Sequence, residues 1–278
     1  MFKYRATDLN VLNKGRNDIK NNTYFKGPQK YDCPESYWKK LRDLEEQYSD
    51  INSMVFDLPK IEFDDWGKFW DIWNKEHIHS GRVKNDIASS SIKTSLEEYQ
   101  KLGPAFRALT IIDYDPDEKY FQKIWDDKFL DLSKEFPKFY QQLYDLLPYN
   151  DLHVVRLWQS TRPIGLHRDG TWELNLPSEC RISLYDENPV PVFYVVPESR
   201  PDEKRSISLP GDSNCFGFNN VRCFHYTVKP GVWEKLLLIP WGQPNLNKLE
   251  RLIENSIKKY PNYVHRTIDD QYSKFLVN

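Results

Sequence analysis

The sequence predicts an α+β protein in which a mainly helical N-terminal half supports a C-terminal barrel of short β-strands. Apolar residues recur at helical spacing through much of the first half. After Pro148, short runs rich in β-branched and aromatic residues alternate with turn signals. The 278 residues suffice for one large domain with a buried core. We expect residues 1–148 to pack on a core formed by residues 149–278, the two parts making one structural unit.

The first half contains helical segments and one strand. Residues 36–48 and 64–77 carry apolar or aromatic side chains at helical spacing, which predicts two amphipathic helices. Residues 107–114, RALTIIDY, are typical of a strand because they are rich in β-branched residues. A helical zone then extends from Pro116 to about Leu147, and Pro137 predicts a break or a kink within it.

The second half contains eight short runs that predict strands, at residues 152–159, 163–168, 181–185, 192–196, 206–209, 214–218, 222–228 and 233–239. Proline, glycine and asparagine separate them, as in Pro210-Gly211-Asp212. Strands of this number and spacing favour a jelly roll, and we predict a double-stranded β-helix, a cupin-like barrel. Residues 245–260 predict a last helix that packs back on the barrel.

A His-x-Asp motif at the end of the second of these runs is a candidate metal site. Strand side chains alternate between faces, so His167 and Asp169 project to the same side and can hold one ion. His225, on a later strand, can supply a third ligand. Two imidazoles and one carboxylate leave three adjacent positions open on an octahedral ion, which suits non-haem Fe(II) oxygenases. A His-x-Asp tripeptide also arises by chance, and a single histidine is more often structural, so the surrounding strands give the motif its weight.

With these residues, the stretch 152–244 resembles the Fe(II)- and 2-oxoglutarate-dependent oxygenases, and most closely the aspartyl/asparaginyl β-hydroxylase-like group that includes the proline cis-4-hydroxylases. His167 and Asp169 match the His-x-Asp of the family, and His225 matches its distal histidine. Ten positions after that histidine the family has a basic residue that binds the distal carboxylate of 2-oxoglutarate. This chain has Lys235 there.

The resemblance also concerns Arg181, which lies where the related β-hydroxylases have a second arginine near the cosubstrate. Lys235 replaces the commoner arginine and offers a point charge instead of a bidentate fork. Asp169 sets this chain apart from mammalian-type β-hydroxylases, which lack that ligand, and from the related halogenases, which have a small residue there. The resemblance implies Fe(II) and 2-oxoglutarate as cofactors. It also implies hydroxylation by dioxygen of a small molecule, an amino acid or a peptide side chain.

Other interpretations remain open. A cupin-like barrel can bind metal as an isomerase or a binding module without oxygenase activity, because a fold does not fix a function. Lys235 and Arg181 directed into the barrel would favour the oxygenase. The aromatic helices of the first half offer a third interpretation, a docking face on an interaction protein. His77 and His79 also have alternating spacing, but they follow a helical pattern and predict a helix end and a loop.

Composition and charge limit the classes of binding partner and the cellular location that we expect. Thirty-nine Lys and Arg against 41 Asp and Glu give a net charge of -2, so the chain lacks the general basic field that collects nucleic acid. The four cysteines have no zinc-site spacing and fit free thiols in a reducing compartment. The first residues are charged throughout and no apolar run approaches the length of a membrane span. We therefore expect a cytoplasmic protein with no membrane partner.

Overall fold

A computed structural model describes residues 34–76, 78–79, 106–112, 128–129, 131–160, 164–167, 174–185, 193–227 and 235–267. In these ranges the helices are α1 Glu35–Tyr48, α2 Trp66–Glu76, α3 Leu132–Glu135, α4 Pro137–Leu146 and α5 Leu246–Lys259, and a 3-10 turn spans Pro261–Tyr263. The strands of the first half are β1 Ile51–Val55, β2 Ile78–His79, β3 Phe106–Ile112 and β4 Lys128–Phe129. Those of the second half are β5 Tyr149–Ser160, β6 Ile164–His167, β7 Glu179–Tyr185, β8 Phe193–Pro197, β9 Arg205–Ser206, β10 Cys215–Phe218, β11 Cys223–Thr227, β12 Lys235–Pro244 and β13 His265–Arg266.

The strands form two sheets in a mixed α/β arrangement. The large sheet has the order β13-β1-β10-β7-β12-β5-β3-β2, and β4 pairs in parallel with β3. The small sheet has the order β6-β11-β8-β9. Apart from β3 and β4, the paired strands are antiparallel. The eight strands predicted in the second half are all present, as β5 to β12.

The two faces of the large sheet have different partners. One face packs on the helices, where Cys180, Ile182 and Leu184 of β7 join a cluster with residues of α1, α4 and α5 such as Leu44 and Ile253. The opposite face packs on the small sheet through a cluster of apolar side chains from both sheets: Phe193, Val195, Ile207, Phe216, Phe218 and Cys223. We call the face of the large sheet that meets the small sheet the inner face.

Local sequence explains where the helices begin. The side chain of Asn245 caps α5 by accepting a hydrogen bond from the backbone N–H of Lys248 at 3.0 Å. Pro137, predicted to break the helical zone, occupies the first turn of α4, where its missing N–H has no helical partner to lose. The predicted break is therefore a helix start.

Several expectations for the first half need correction. Lys128–Phe129, in the zone predicted as helical, forms β4 because its backbone pairs with β3. Ile78–His79 forms β2 beside Arg107 and Ala108 instead of a loop, since the edge of β3 offers hydrogen bonds. His77 and residues 113–127 lie outside the described residues. In the part of the chain that the structure describes, no helix has the length and apolar character needed to span a membrane.

Candidate metal and cosubstrate site

The pairing of β6 with β11 brings the two candidate histidine ligands together. The strands are antiparallel, and the Cα partner of His225 is His167. Residues directly opposed across an antiparallel pair occupy the same face, with Cβ atoms about 4.5–5.5 Å apart. Two positions that are distant in sequence are therefore neighbours on one face of the small sheet.

Aromatic rings enclose His225, which is 3% exposed. Its imidazole stacks on the ring of Phe193, with centroids 5.4 Å apart and 14° between the planes, and lies 4.8 Å from the ring of Phe218. Phe193 comes from β8 and Phe218 from β10, so both sheets fix the histidine. An apolar shell of this kind limits the access of water to a metal site.

One imidazole of the predicted site is described. Imidazole nitrogen is a suitable ligand for iron, so His225 could supply one ligand. Asp169, the third predicted ligand, lies outside the described residues, and so does the side chain of His167. Among the side chains that the structure does describe, no group of three or more His, Cys, Asp or Glu residues could hold a metal ion.

Arg181 lies on the inner face, close to the surroundings of His225. It is 1% exposed and opposes Phe216 in β10. Its Nη1 donates to the carbonyl oxygen of Cys180 at 2.9 Å and to Oε2 of Glu179 at 3.3 Å. The guanidinium carbon lies 5.2 Å from the centre of the Phe218 ring, which also contacts His225, and 5.8 Å from that of Trp241. One phenyl ring thus lies between a buried cation and the candidate metal ligand.

Lys235 is the first residue of β12 and opposes Ser160 of β5. It is two residues from Leu237, which opposes Ser183, and residues two apart on a strand share a face, so Lys235 has a register position on the inner face. Its side chain lies outside the described residues. Arg156 of β5 is described and buried. Trp233 and the side chains of Trp158 and Tyr185, which could also line this region, lie outside the described residues.

Sequence reasoning missed two polar side chains next to Arg181. Along β7, Glu179, Arg181 and Ser183 alternate with the apolar residues that face the helices. Glu179 and Ser183 are both buried. The hydroxyl of Ser183 has no hydrogen-bond partner within the described part of the chain. The alternation in Glu-Cys-Arg-Ile-Ser-Leu was the available signal, but the predicted strand began only at Arg181.

Two ionisable groups behind the large sheet are kept neutral. The thiols of Cys180 and Cys215 lie 3.7 Å apart, and burial, together with that hydrogen bond, raises the pKa of Cys215 well above its usual value. Burial likewise raises the pKa of Tyr149, with a smaller contribution from the charge of Glu179. A neutral thiol is a poor nucleophile and a poor metal ligand. The thiol of Cys215 is therefore a weak candidate for a nucleophile or a metal ligand.

Comparison with known proteins gives only loose likenesses. No family model matches the chain, and no curated protein matches it. A solved structure described as OsALKBH1 is 15% identical, with a TM-score of 0.34, over 68% of this chain and 97% of that one. An oxidoreductase of the 2OG-Fe(II) oxygenase family from Burkholderia pseudomallei is 15% identical, with a TM-score of 0.28, over 50% of this chain and 69% of that one.

A prolyl-4-hydroxylase from Pseudomonas putida is a third such structure, 10% identical with a TM-score of 0.31, over 73% of this chain and 98% of its own. At these TM-scores the likenesses say nothing about the activity of this chain. Its function has to be inferred from its own residues.

Proposed function

We propose that the chain is an Fe(II)- and 2-oxoglutarate-dependent oxygenase that hydroxylates an unactivated C–H bond of a small molecule, an amino acid or a peptide side chain. The main support is the direct opposition of His225 and His167 on one face of the small sheet. His-x-Asp from the end of one strand and a histidine from its neighbour form the set of ligands that such chemistry requires.

The strand order supports a double-stranded β-helix as the scaffold. Within the large sheet, β5, β12, β7 and β10 are consecutive neighbours, and the small sheet contains β6, β11, β8 and β9. The eight strands β5 to β12 therefore divide into two sets of four. Aromatic contacts such as Phe193 with Phe216, at 5.1 Å, join the two sets face to face. Eight strands in two packed sheets are the arrangement of a jelly roll.

In this proposal His167, Asp169 and His225 hold Fe(II), which together with 2-oxoglutarate and dioxygen supplies the oxidising chemistry and yields succinate and carbon dioxide. The chain itself binds and orients the metal and the cosubstrate, and it excludes water from the site. Phe193 and Phe218 fix the plane of the His225 ring and keep it dry. A fixed, neutral imidazole can donate a lone pair without reorganisation.

The cosubstrate needs cations for its carboxylates. We assign the distal carboxylate to Lys235, whose register position on β12 is on the inner face. Arg181 already has Glu179 as an ionic partner at 3.3 Å, so we assign it an orienting role near the metal. A lysine ammonium at the anchor gives charge without the planar fork of arginine.

The test is an anaerobic titration of the metal-free protein with Fe(II) and then 2-oxoglutarate, following the weak visible absorption band of the iron chelate. We expect the band in the wild type and its loss in His225→Ala. His265→Ala is the control, because that histidine is partly buried and contacts Ser53 at the edge of the large sheet. Lys235→Ala should raise the 2-oxoglutarate concentration needed by about 10- to 100-fold, the value of a hydrogen bond to a charged group.

Two outcomes would contradict the proposal. Iron binding without a band at saturating 2-oxoglutarate would point to a metal-binding barrel of another function. A band that persists in His225→Ala would remove this histidine from the set of ligands.

A further inference from the structure

We infer that Asn219 is a positioning residue for the candidate metal site. It lies at the corner where the chain leaves β10 in the large sheet and enters β11, the strand of His225, in the small sheet. Its side chain joins this corner to the segment that follows the His-x-Asp motif and to the end of α1. This role rests on the proposed function, because it concerns the same set of metal ligands.

Asn219 closes the corner before β11 through three hydrogen bonds. Its Oδ1 accepts from the backbone N–H groups of Val221 and Arg222, both at 3.1 Å, and its carbonyl oxygen accepts from the N–H of Cys223 at 3.0 Å. Asparagine favours such turns because its short side chain can bond the backbone two residues on. The direction in which β11 starts therefore depends on this side chain, and His225 is the third residue of that strand.

The amide nitrogen of the same side chain bonds two other segments. Nδ2 donates to Oδ1 of Asn175 at 3.1 Å and to the carbonyl oxygen of Ser49 at 3.3 Å. Asn175 is six residues after Asp169, the predicted carboxylate ligand. Its backbone N–H donates to Oε1 of Glu45 in α1 at 2.8 Å, so this segment is also fixed on α1. Asn219 therefore ties the chain that returns from the His-x-Asp motif to the chain that enters β11.

All four hydrogen-bonding positions of the Asn219 amide are occupied. An asparagine side chain offers two acceptor sites and two donors, and each of the four has a partner here. Because backbone N–H groups can only donate, they determine the orientation of the amide. The residue is fully buried, and a buried amide that loses its partners costs free energy. No other standard side chain of this length combines two donors with two acceptor sites.

The first half of the chain supports the same corner. The backbone N–H of Asn219 donates to the carbonyl oxygen of Asn52 in β1 at 2.9 Å. Nη1 of Arg222 donates to the carbonyl oxygen of Ser49 at 2.8 Å. The corner is thus bonded at several points to the connection between α1 and β1. The helical half therefore contributes to the position of His225 through this corner.

Groups that hold metal ligands in place change the affinity for the metal although they do not touch it. Removal of such a group typically costs about 10- to 100-fold in metal affinity. Asn219 acts through the backbone of the two segments that carry the predicted ligands, so we expect the lower end of that range. Asn219→Ala should therefore raise the Kd for Fe(II) by about 10-fold.

The experiment measures Fe(II) binding by the metal-free protein under anaerobic conditions, in competition with a coloured chelator and well below the Tm of each variant. Asn214→Ala is the matched control. Asn214 is a buried asparagine at the other end of β10, and its side chain bonds the backbone N–H and carbonyl of Ile61 at 3.1 and 2.7 Å. We expect Asn214→Ala to lower Tm and to leave the Kd for Fe(II) close to that of the wild type.

Asn175→Ala is a second variant, which tests the same role if Asn219→Ala does not fold. The Asn175 side chain is partly buried, and its replacement removes one hydrogen bond of Asn219 while the turn before β11 keeps its own. We expect the Kd for Fe(II) to rise by about threefold or more, because one neutral hydrogen bond is lost.

The outcomes separate this role from the proposed function. If the wild type binds Fe(II) but forms no chelate band with 2-oxoglutarate, the oxygenase is contradicted, while a raised Kd in Asn219→Ala still supports the positioning role. An unchanged Kd in Asn219→Ala and Asn175→Ala overturns the positioning role and leaves the oxygenase standing. An equal rise in Asn219→Ala and Asn214→Ala also overturns it, because the effect would then be a general loss of stability. A wild type that binds no Fe(II) overturns both.

Discussion

Replacing Gly217 by alanine should destabilise the protein, because the space beside this glycine is already filled. A Cβ atom there would lie 2.4 Å from Cζ and 2.6 Å from Cε2 of Phe56, and 2.6 Å from the carbonyl oxygen of Pro177. Carbon atoms attract each other best at about 3.5–4.0 Å, so the Phe56 ring would have to move by roughly 1 Å or more. Phe56 is fully buried in the cluster beneath the helices, and the Pro177 oxygen belongs to the backbone.

The cost follows from two opposing effects. Overpacking a filled core costs about 1–3 kcal/mol. Alanine also has less conformational freedom than glycine in the unfolded chain, which stabilises the folded state by about 0.4–1 kcal/mol. Since a backbone atom is one of the obstacles, we expect a net loss of about 2 kcal/mol, which lowers Tm by roughly 4–8 °C for a protein of this size.

Thermal unfolding followed by circular dichroism measures the change. Gly211→Ala is the control, because a Cβ at that exposed glycine meets nothing within 4 Å, and its Tm should stay close to that of the wild type. Adding Phe56→Leu to Gly217→Ala should recover only part of the loss, since the Pro177 oxygen remains. A Tm for Gly217→Ala equal to or above that of the wild type would refute this packing argument.

Two further changes test the capping of α5 and the titration of a partly buried histidine. Asn245→Ala removes the cap of α5 and should cost about 1 kcal/mol, measured by urea unfolding, with the exposed Asn247→Ala expected to have little effect. Burial, and then the charge of Arg205, lower the pKa of His265, so the folded state disfavours its protonation. The stability it supports is present above its unfolded pKa of about 6.5 and is lost as the pH falls through the lowered folded value. His265→Asn should therefore flatten the decline of Tm between pH 7 and pH 5, and an unchanged slope would assign that decline to other groups.

The strands of the second half were predictable because each is a β-rich run between strong turn residues. β1 was not, since Ile51-Asn52-Ser53-Met54-Val55 contains two polar residues, yet all five are buried. Burial of Asn52 is tolerated because its Oδ1 accepts a hydrogen bond from Thr267 Oγ1 at 2.8 Å. That partner is on a segment far along the chain, so local pattern could not reveal it.

The candidate site was likewise predictable only in part. Spacing alone identified His225 as a possible partner of His167, and the register of β6 with β11 makes them neighbours. The polar side of β7 was missed because an alternating strand usually turns its polar residues to water. Here the small sheet covers that side, and only the folded arrangement of strands reveals that Glu179 and Ser183 are enclosed.

The position of β1 between β10 and β13 has a consequence for how the protein is made. Ile51 pairs with Arg266, and the backbone N–H of Thr267 donates to the carbonyl oxygen of Asp50 at 2.8 Å. During synthesis on the ribosome β1 emerges long before β10 and β13. Both of its hydrogen-bonding edges therefore remain unpaired while most of the chain is synthesised. Unpaired strand edges of this kind invite association with other chains. Such long-range pairing also predicts slow folding, with closure of this edge of the sheet delayed until β13 is released.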